Sequence, residues 1–230
     1  MKDTSVSVYR IFPFVVCVMF LSIVVSMLSF MIKAVSGTPF SVYDYQLNDR
    51  LYMLCFLFTY IALVGIMSCL YQIRDVNHEM NAAYITSFVY IITEAVVFVL
   101  TWLGQVFSEN TFVRIFVYIC KIFPTGCLLF VIAFVLMGIT HYYHDQRKNK
   151  LCVKTRNLVI YWISSFATQI VINIFFHLTT IRKSAPVLFA LFSIGVFLYN
   201  LVIIVMVYRR ITEFSMEYYI YQYNKQRGLV

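Results

Sequence analysis

Charge is what this chain has least of: charged residues make up 12% of its 230 positions, against the roughly 25% usual in a soluble domain. A soluble domain of this length needs a polar coat, and the side chains to build one are missing. Apolar residues reach 62%, so water is excluded as the main solvent of the surface and lipid is implied. Linkers, low-complexity tracts and composition shifts are also absent, which leaves residues 1–230 as one membrane domain. No internal repeat is found, so a transporter built from two related halves gets little support.

The chain is equally poor in chemical signatures. It has no His-Glu-x-x-His, Gly-x-Ser-x-Gly, P-loop or dinucleotide fingerprint, so neither a metal nor a cofactor is expected and no reaction can be assigned from motifs. The His-x4-Asp signature of soluble-facing glycerolipid acyltransferases is missing as well. No Asn-x-Ser/Thr sequon occurs, which excludes glycosylation at Asn on a luminal surface. Five of the six cysteines (Cys17, Cys55, Cys69, Cys120 and Cys127) fall within apolar stretches and pack as small apolar residues. Only Cys152 is expected in a loop, so there is no disulfide framework.

What the chain does have is long apolar runs. A transmembrane helix needs about 20 apolar residues, at about 1.5 Å of rise each across roughly 30 Å of hydrocarbon. Ile11 to Ile32, Leu51 to Ile73, Leu158 to His177 and Pro186 to Val207 meet this without a single charge. Ala83 to Phe107 and Ile115 to Thr140 meet it with one charge each, Glu94 and Lys121. The runs do not alternate with period two, which excludes a β-barrel. The expectation is therefore an all-α polytopic integral membrane protein with six transmembrane helices. The first run is followed by Lys33 with no small-residue cleavage site between, and it reads as a retained signal anchor.

Lys and Arg in the short loops orient the bundle. Twelve lie on the side that holds both termini, including Arg10, Arg74, Arg147, Lys148 and Arg210, and five lie on the other. Both termini are thus expected in the cytosol. The formal charge of +8 follows from this topology and from anionic lipid, with no nucleic acid required. Lys33 to Arg50, with Gly37, Pro39, Asp44 and Asp49, is expected to form a luminal cap. His141 to Asn157 reads as a basic cytosolic hinge, and the tail after Tyr208 as a segment lying along the headgroups.

Glu94 stands out, because an ionised carboxylate near the middle of a span costs at least ~2.5 kcal/mol and needs a compensating contact or a proton. Its functional reading is a proton or ligand site, or a group that pairs with a polar lipid head. Its bland reading, weighted slightly higher, is a structural hydrogen bond to a neighbouring helix. Lys121 could be the partner, although snorkelling from the start of its span is the simpler account. Gln169, Asn173 and His177 recur at i, i+4 and i+8 and share one helix face, lining a polar cleft or only holding helices together. His141 and His144 sit at a membrane exit with no further ligand pair nearby, so interfacial anchoring is expected there and not a metal.

Four segments carry a resemblance to a known family. Arg10-Ile11-Phe12-Pro13 opens the first span, and a loop with Pro39 and Asp44 precedes a Phe-rich second span that exits through Tyr71-Gln72-Ile73-Arg74. Span three contains Ile92-Thr93-Glu94 followed by an aliphatic stretch to Leu100-Thr101, and the last span leaves into Ile211-Thr212-Glu213-Phe214. In order and spacing the chain resembles the superfamily of the PGAP (post-GPI attachment to proteins factor, second type), DRAM, Sfk and Cwh-type N-terminal domains, over Arg10 to about Phe214. It departs from the family's pattern at Ile91, where Asn is frequent, and at Tyr45, where a small residue usually follows the loop acid, so it reads as a divergent member. The resemblance implies remodelling of GPI-anchor lipid in the Golgi, by reacylation of the lyso-anchor, as enzyme or as essential accessory. Glu94 and Asp44 match the family's span-three and loop acids. The implied partners are a membrane lipid (the GPI-anchor lipid, or GPI-anchored proteins), with membrane-protein partners also allowed. The alternative is a non-enzymatic DRAM-like regulator of autophagy or lysosomal traffic. The final residues carry no dilysine or Lys-Asp-Glu-Leu signal, which fits the Golgi membrane and leaves the ER or endolysosomal membrane as alternatives. A seven-span orphan receptor would need another helix and an extracellular N-terminus, and the charge asymmetry opposes both.

The charge asymmetry makes a direct prediction. Epitope tags at both ends should be reached by antibody only after permeabilisation, and a tag beside Thr38 should face the lumen; an extracellular N-terminus with a cytosolic C-terminus would sink the six-span topology.

Overall fold

In the computed structural model, the backbone is described for residues 4–35, 50–106, 111–177 and 186–227, and the side chains for 8–25, 57–100, 126–168 and 191–227. These residues form six helices and no strand: α1 Thr4–Val35, α2 Arg50–Ile73, α3 His78–Val106, α4 Thr111–Asp145, α5 Asn149–His177 and α6 Pro186–Gln226. Each helix packs on the next in sequence, and α6 returns to pack on α1, so the bundle closes as a ring that α4 and α6 also bridge. The helices alternate in direction, which brings the starts of α1, α3 and α5 together with the ends of α2, α4 and α6. This is the basic end of the bundle.

Among the described residues, four helices hold stretches long and apolar enough to cross a membrane: Val8–Val25, His78–Leu100, Gly126–Asp145 and Leu191–Gln226. A shorter apolar stretch, Leu57–Ile73, lies in α2. The outer surface is built for lipid. Phe14 is 67% exposed and Ile160 and Leu191 61%, levels that would be unfavourable in water for so many large apolar side chains. Inside, Phe12, Met19, Leu63, Ile66, Leu70, Leu136 and Ile139 are sealed from solvent.

Two turns at the basic end show how the sequence ends its helices. Asn77 caps α3: its Oδ1 accepts from the Met80 amide at 3.0 Å, and its Nδ2 donates to the Gly138 carbonyl of α4 at 2.8 Å. One amide therefore satisfies an orphan donor and ties α3 to α4. At the other turn, the Arg147 amide donates to the His144 carbonyl and the Lys148 amide to the Tyr143 carbonyl, both at 2.9 Å. That is the Schellman pattern, and Arg147 takes the left-handed conformation it requires, with φ 56°, where Gly is usual.

Both turns are shorter than the hydropathy pattern implies. The basic hinge expected over His141 to Asn157 reduces to residues 146–148, because α4 persists to Asp145 and α5 begins at Asn149. Cys152 accordingly sits in the first turn of α5, half-buried, and not in a loop. The expected separate tail after Tyr208 is instead the continuation of α6, a helix of 41 residues and so about 60 Å long. The reason is packing: Val207, Ile211, Phe214 and Tyr218 extend the buried face beyond the apolar run. Tyr219 stacks on Tyr9 of α1 at 5.1 Å, and Phe214 meets Tyr142 of α4 edge-on at 5.2 Å. Lys148 in the α4–α5 turn pairs with Glu217 of α6. The expected luminal cap, Lys33 to Arg50 with Asp44, lies almost wholly outside the described residues.

Helices α1 and α2 approach closely at Gly65, where a Cβ atom would sit 2.6 Å from Val15 Cγ1. Valine in a helix has little rotamer freedom to yield. Gly65→Ala should therefore destabilise the bundle by about 1–3 kcal/mol, read as a lower unfolding temperature in detergent, and Val15→Ala should recover part of that loss in the double variant. Equal stability of Gly65→Ala and the parent would contradict the close approach.

Candidate functional site

Helix α3 presents two distinct faces. Ile85, Phe88, Ile92, Val96 and Val99 are exposed and form an apolar stripe at helical spacing. Met80, Ala83, Ser87 and Tyr90 are buried and form the opposite one. Glu94 continues the buried series, four residues after Tyr90, and is itself partly buried. The carboxylate is therefore on the side turned to the bundle and off the lipid-facing stripe. It lies 16 residues from the start of α3, so about 24 Å along the helix from the basic end. Among the described residues Glu94 makes no hydrogen bond or ion pair.

Other polar groups at comparable depth are occupied in joining helices. The Thr59 hydroxyl of α2 donates to Ser22 Oγ of α1 at 2.8 Å. Ser165 of α5 donates to Asn200 Oδ1 of α6, and next to it Ser164 and Tyr199 share a hydrogen bond of 2.7 Å. The Trp162 indole donates to the Leu129 carbonyl of α4 at 3.1 Å, and its ring meets Phe20 of α1 at 6.2 Å. These contacts form a belt of polar links around an apolar core. Sequence reasoning passed over Asn200, Ser165 and Trp162; the available signal was an amide within a span otherwise free of strong polar groups.

The remaining sequence candidates fall as follows. Gln169, Asn173 and His177 lie on continuous α5 helix, and their side chains are outside the described residues. Helices α3 and α5 both pack on α4 and do not pack on each other among the described residues. Asp44 and the side chain of Lys121 lie outside the described residues. His141 accepts a structural role, with Nδ1 at 2.8 Å from Glu79 Oε1 of α3. His144 makes a longer, exposed contact of 3.7 Å with Asp145.

The comparisons with known proteins found no matching family model, no matching curated protein and no matching solved structure.

The Ser165–Asn200 pair is open to a direct energetic test. Among the described residues Asn200 Nδ2 is buried without a partner, so only its Oδ1 is satisfied, and by Ser165. Ser165→Ala and Asn200→Leu should each lower stability by about 1 kcal/mol, while the double variant should lose less than the sum, because removing both partners strands no acceptor. A double-mutant cycle on thermal unfolding in detergent reads the coupling, and strict additivity would show that the pair contributes nothing.

Proposed function

We propose that the chain crosses the membrane six times with both termini in the cytosol, and that it takes part in remodelling GPI-anchor lipid in the Golgi, by reacylation of the lyso-anchor, as enzyme or essential accessory. The observation that carries the lipid-handling part is Glu94: a carboxyl turned toward the bundle, within an apolar stretch, and without a protein partner among the described residues. A group so placed costs several kcal/mol unless something compensates it. A polar lipid head entering between helices while its acyl chains stay in the bilayer would supply that compensation. The GPI assignment itself rests on the four ordered segments of the sequence, Arg10–Pro13, Pro39 to Arg74, Ile92–Thr101 and Ile211–Phe214.

On this reading Glu94 acts on a headgroup by hydrogen bonding, by charge or by proton transfer. Glu94→Gln separates these roles, since Gln keeps hydrogen bonding but does not titrate. Glu94→Leu should abolish function with expression retained. Cells lacking the protein should carry incompletely remodelled GPI lipids and lose GPI-anchored proteins from their surface, and Glu94→Leu should fail to rescue them. Mass spectrometry of the anchor lipids is the readout. Unchanged acyl composition in the null cells would remove the GPI assignment and favour the regulator of autophagy or lysosomal traffic. Full rescue by Glu94→Leu would reduce the carboxylate to an incidental feature, and full rescue by Glu94→Gln would exclude proton transfer.

A further inference from the structure

Among the described residues α2 and α6 do not pack on one another, and at the basic end a cleft of about 400 Å³ lies among the ends of α2, α4 and α6. Its walls are Tyr142 at the end of α4 and Tyr218 and Tyr221 on the extension of α6, and Asp75 and Asp145 stand with them. The rest of its polar lining is amide, from Gln72, Gln146 and Gln222. No Lys or Arg lines it among the described residues, although the chain carries a formal charge of +8 and Arg74 and Arg147 adjoin lining residues in sequence. An acidic, aromatic cleft within the most basic part of a basic protein is not an average piece of its surface.

The rings are set as walls and not as a stack. Tyr142 stands at 66° to Tyr218 and at 84° to Tyr221, with centroids 6.4 and 6.5 Å apart. Tyr142 also packs on Phe214 and Tyr143, and Phe214 stacks on Tyr218, so Tyr142 and Tyr218 are buried and fixed in advance of any ligand, and Tyr221 is the partly exposed ring of the three. The carboxylates sit further out: the side chains of Asp75 and Asp145 are 93% and 75% exposed. Each makes only a loose contact of 3.7 Å, Asp75 with Arg74 and Asp145 with His144.

We infer that this cleft binds a quaternary ammonium group, the cation carried by choline headgroups and choline esters. The carboxylates at the mouth attract a cation, and the negative faces of the tyrosine rings hold it. A compact metal cation needs a close shell of oxygen ligands, which a tyrosine-walled corner with outlying carboxylates does not supply. A quaternary ammonium is weakly hydrated and presents methyl groups to the rings, so it loses little on entry. An anion is disfavoured by both carboxylates. Residues of the cleft are separate from Glu94, and the inference does not depend on the anchor-lipid reading.

The test uses the full-length protein in a maltoside detergent, which has no ammonium group. Calorimetric titration with tetramethylammonium chloride should show saturable binding that ammonium chloride at the same concentration does not compete away. Tyr221→Leu should weaken binding roughly tenfold, and Tyr221→Phe, which keeps the ring, should hold it near the parent value. Asp75→Asn combined with Asp145→Asn should weaken it several-fold, an effect that added salt reproduces in the parent. The two aspartates are exposed, so this variant keeps the test decisive should Tyr221→Leu misfold. Absence of saturable binding, equal competition by ammonium, or unchanged affinity in both folded variants would overturn the assignment. The source of the group is read separately. A site closed to tetramethylammonium in phosphatidylcholine nanodiscs and open in phosphatidylglycerol nanodiscs draws its ligand from the bilayer. A site open in both that binds free phosphocholine draws it from solution. Either result requires the ammonium-binding cleft.

Discussion

A helix surrounded by hydrocarbon finds no water for its polar groups, so each must be satisfied within the protein, and the arrangement of this bundle follows from that constraint. Most of the hydroxyls comply locally. Thr86, Thr140, Thr155, Thr168 and Ser215 each donate to the carbonyl four residues back on their own helix. A few reach across instead, and these few define the interfaces: Thr59 to Ser22, Ser165 to Asn200, Trp162 to Leu129. Glu94 does neither among the described residues. Against a background in which nearly every polar side chain has an evident task, its lack of one is what directs attention to it.

The two halves of the molecule are held by different physics. Midway along the helices, association rests on close packing and isolated hydrogen bonds, because lipid gives apolar side chains no reason to prefer one another. Gly65 serves that purpose by letting α2 come close against Val15 of α1. At the basic end water returns, and so do ion pairs and stacked rings. Glu79 meets His141, Lys148 meets Glu217, and Glu213 bridges Arg209 and Arg210. Exposed pairs of this kind are worth at most about 1 kcal/mol each; of these, Lys148–Glu217 ties α6 to the α4–α5 turn, and with the Tyr9–Tyr219 stack on α1 it fixes where the long α6 helix lies. That placement creates the tyrosine-walled cleft.

Hydropathy made much of this architecture legible. Apolar runs announced the helices of the described residues, four of which hold stretches long and apolar enough to cross a membrane, and a single acid within one run announced Glu94. Its orientation was not readable, since Tyr90, Ile91 and Val97 make the Glu94 side of the span as apolar as the side that the structure exposes. What hydropathy cannot register is a helix that outlasts its apolar segment. The fall in apolarity after Thr140 and Tyr208 marks where water begins, whereas the helices end later, at Asp145 and Gln226. The α4–α5 turn was further concealed because Arg147 occupies the left-handed position and no Gly punctuates it. The cleft was illegible for another reason: Asp75, Tyr142 and Tyr221 are far apart in sequence and meet only through the packing of three helices.

The central claim is that α3 turns an apolar stripe to lipid and the Glu94 carboxyl to the bundle. Nitroxide labels placed singly along α3 in nanodiscs, with collision rates measured against lipid-soluble oxygen, test it most directly. Labels at Ile85, Ile92, Val96 and Val99 should give high oxygen accessibility, and labels at Ser87, Tyr90 and Glu94 should give low values with a helical period. A label at Glu94 as accessible to oxygen as one at Ile92 would contradict the account.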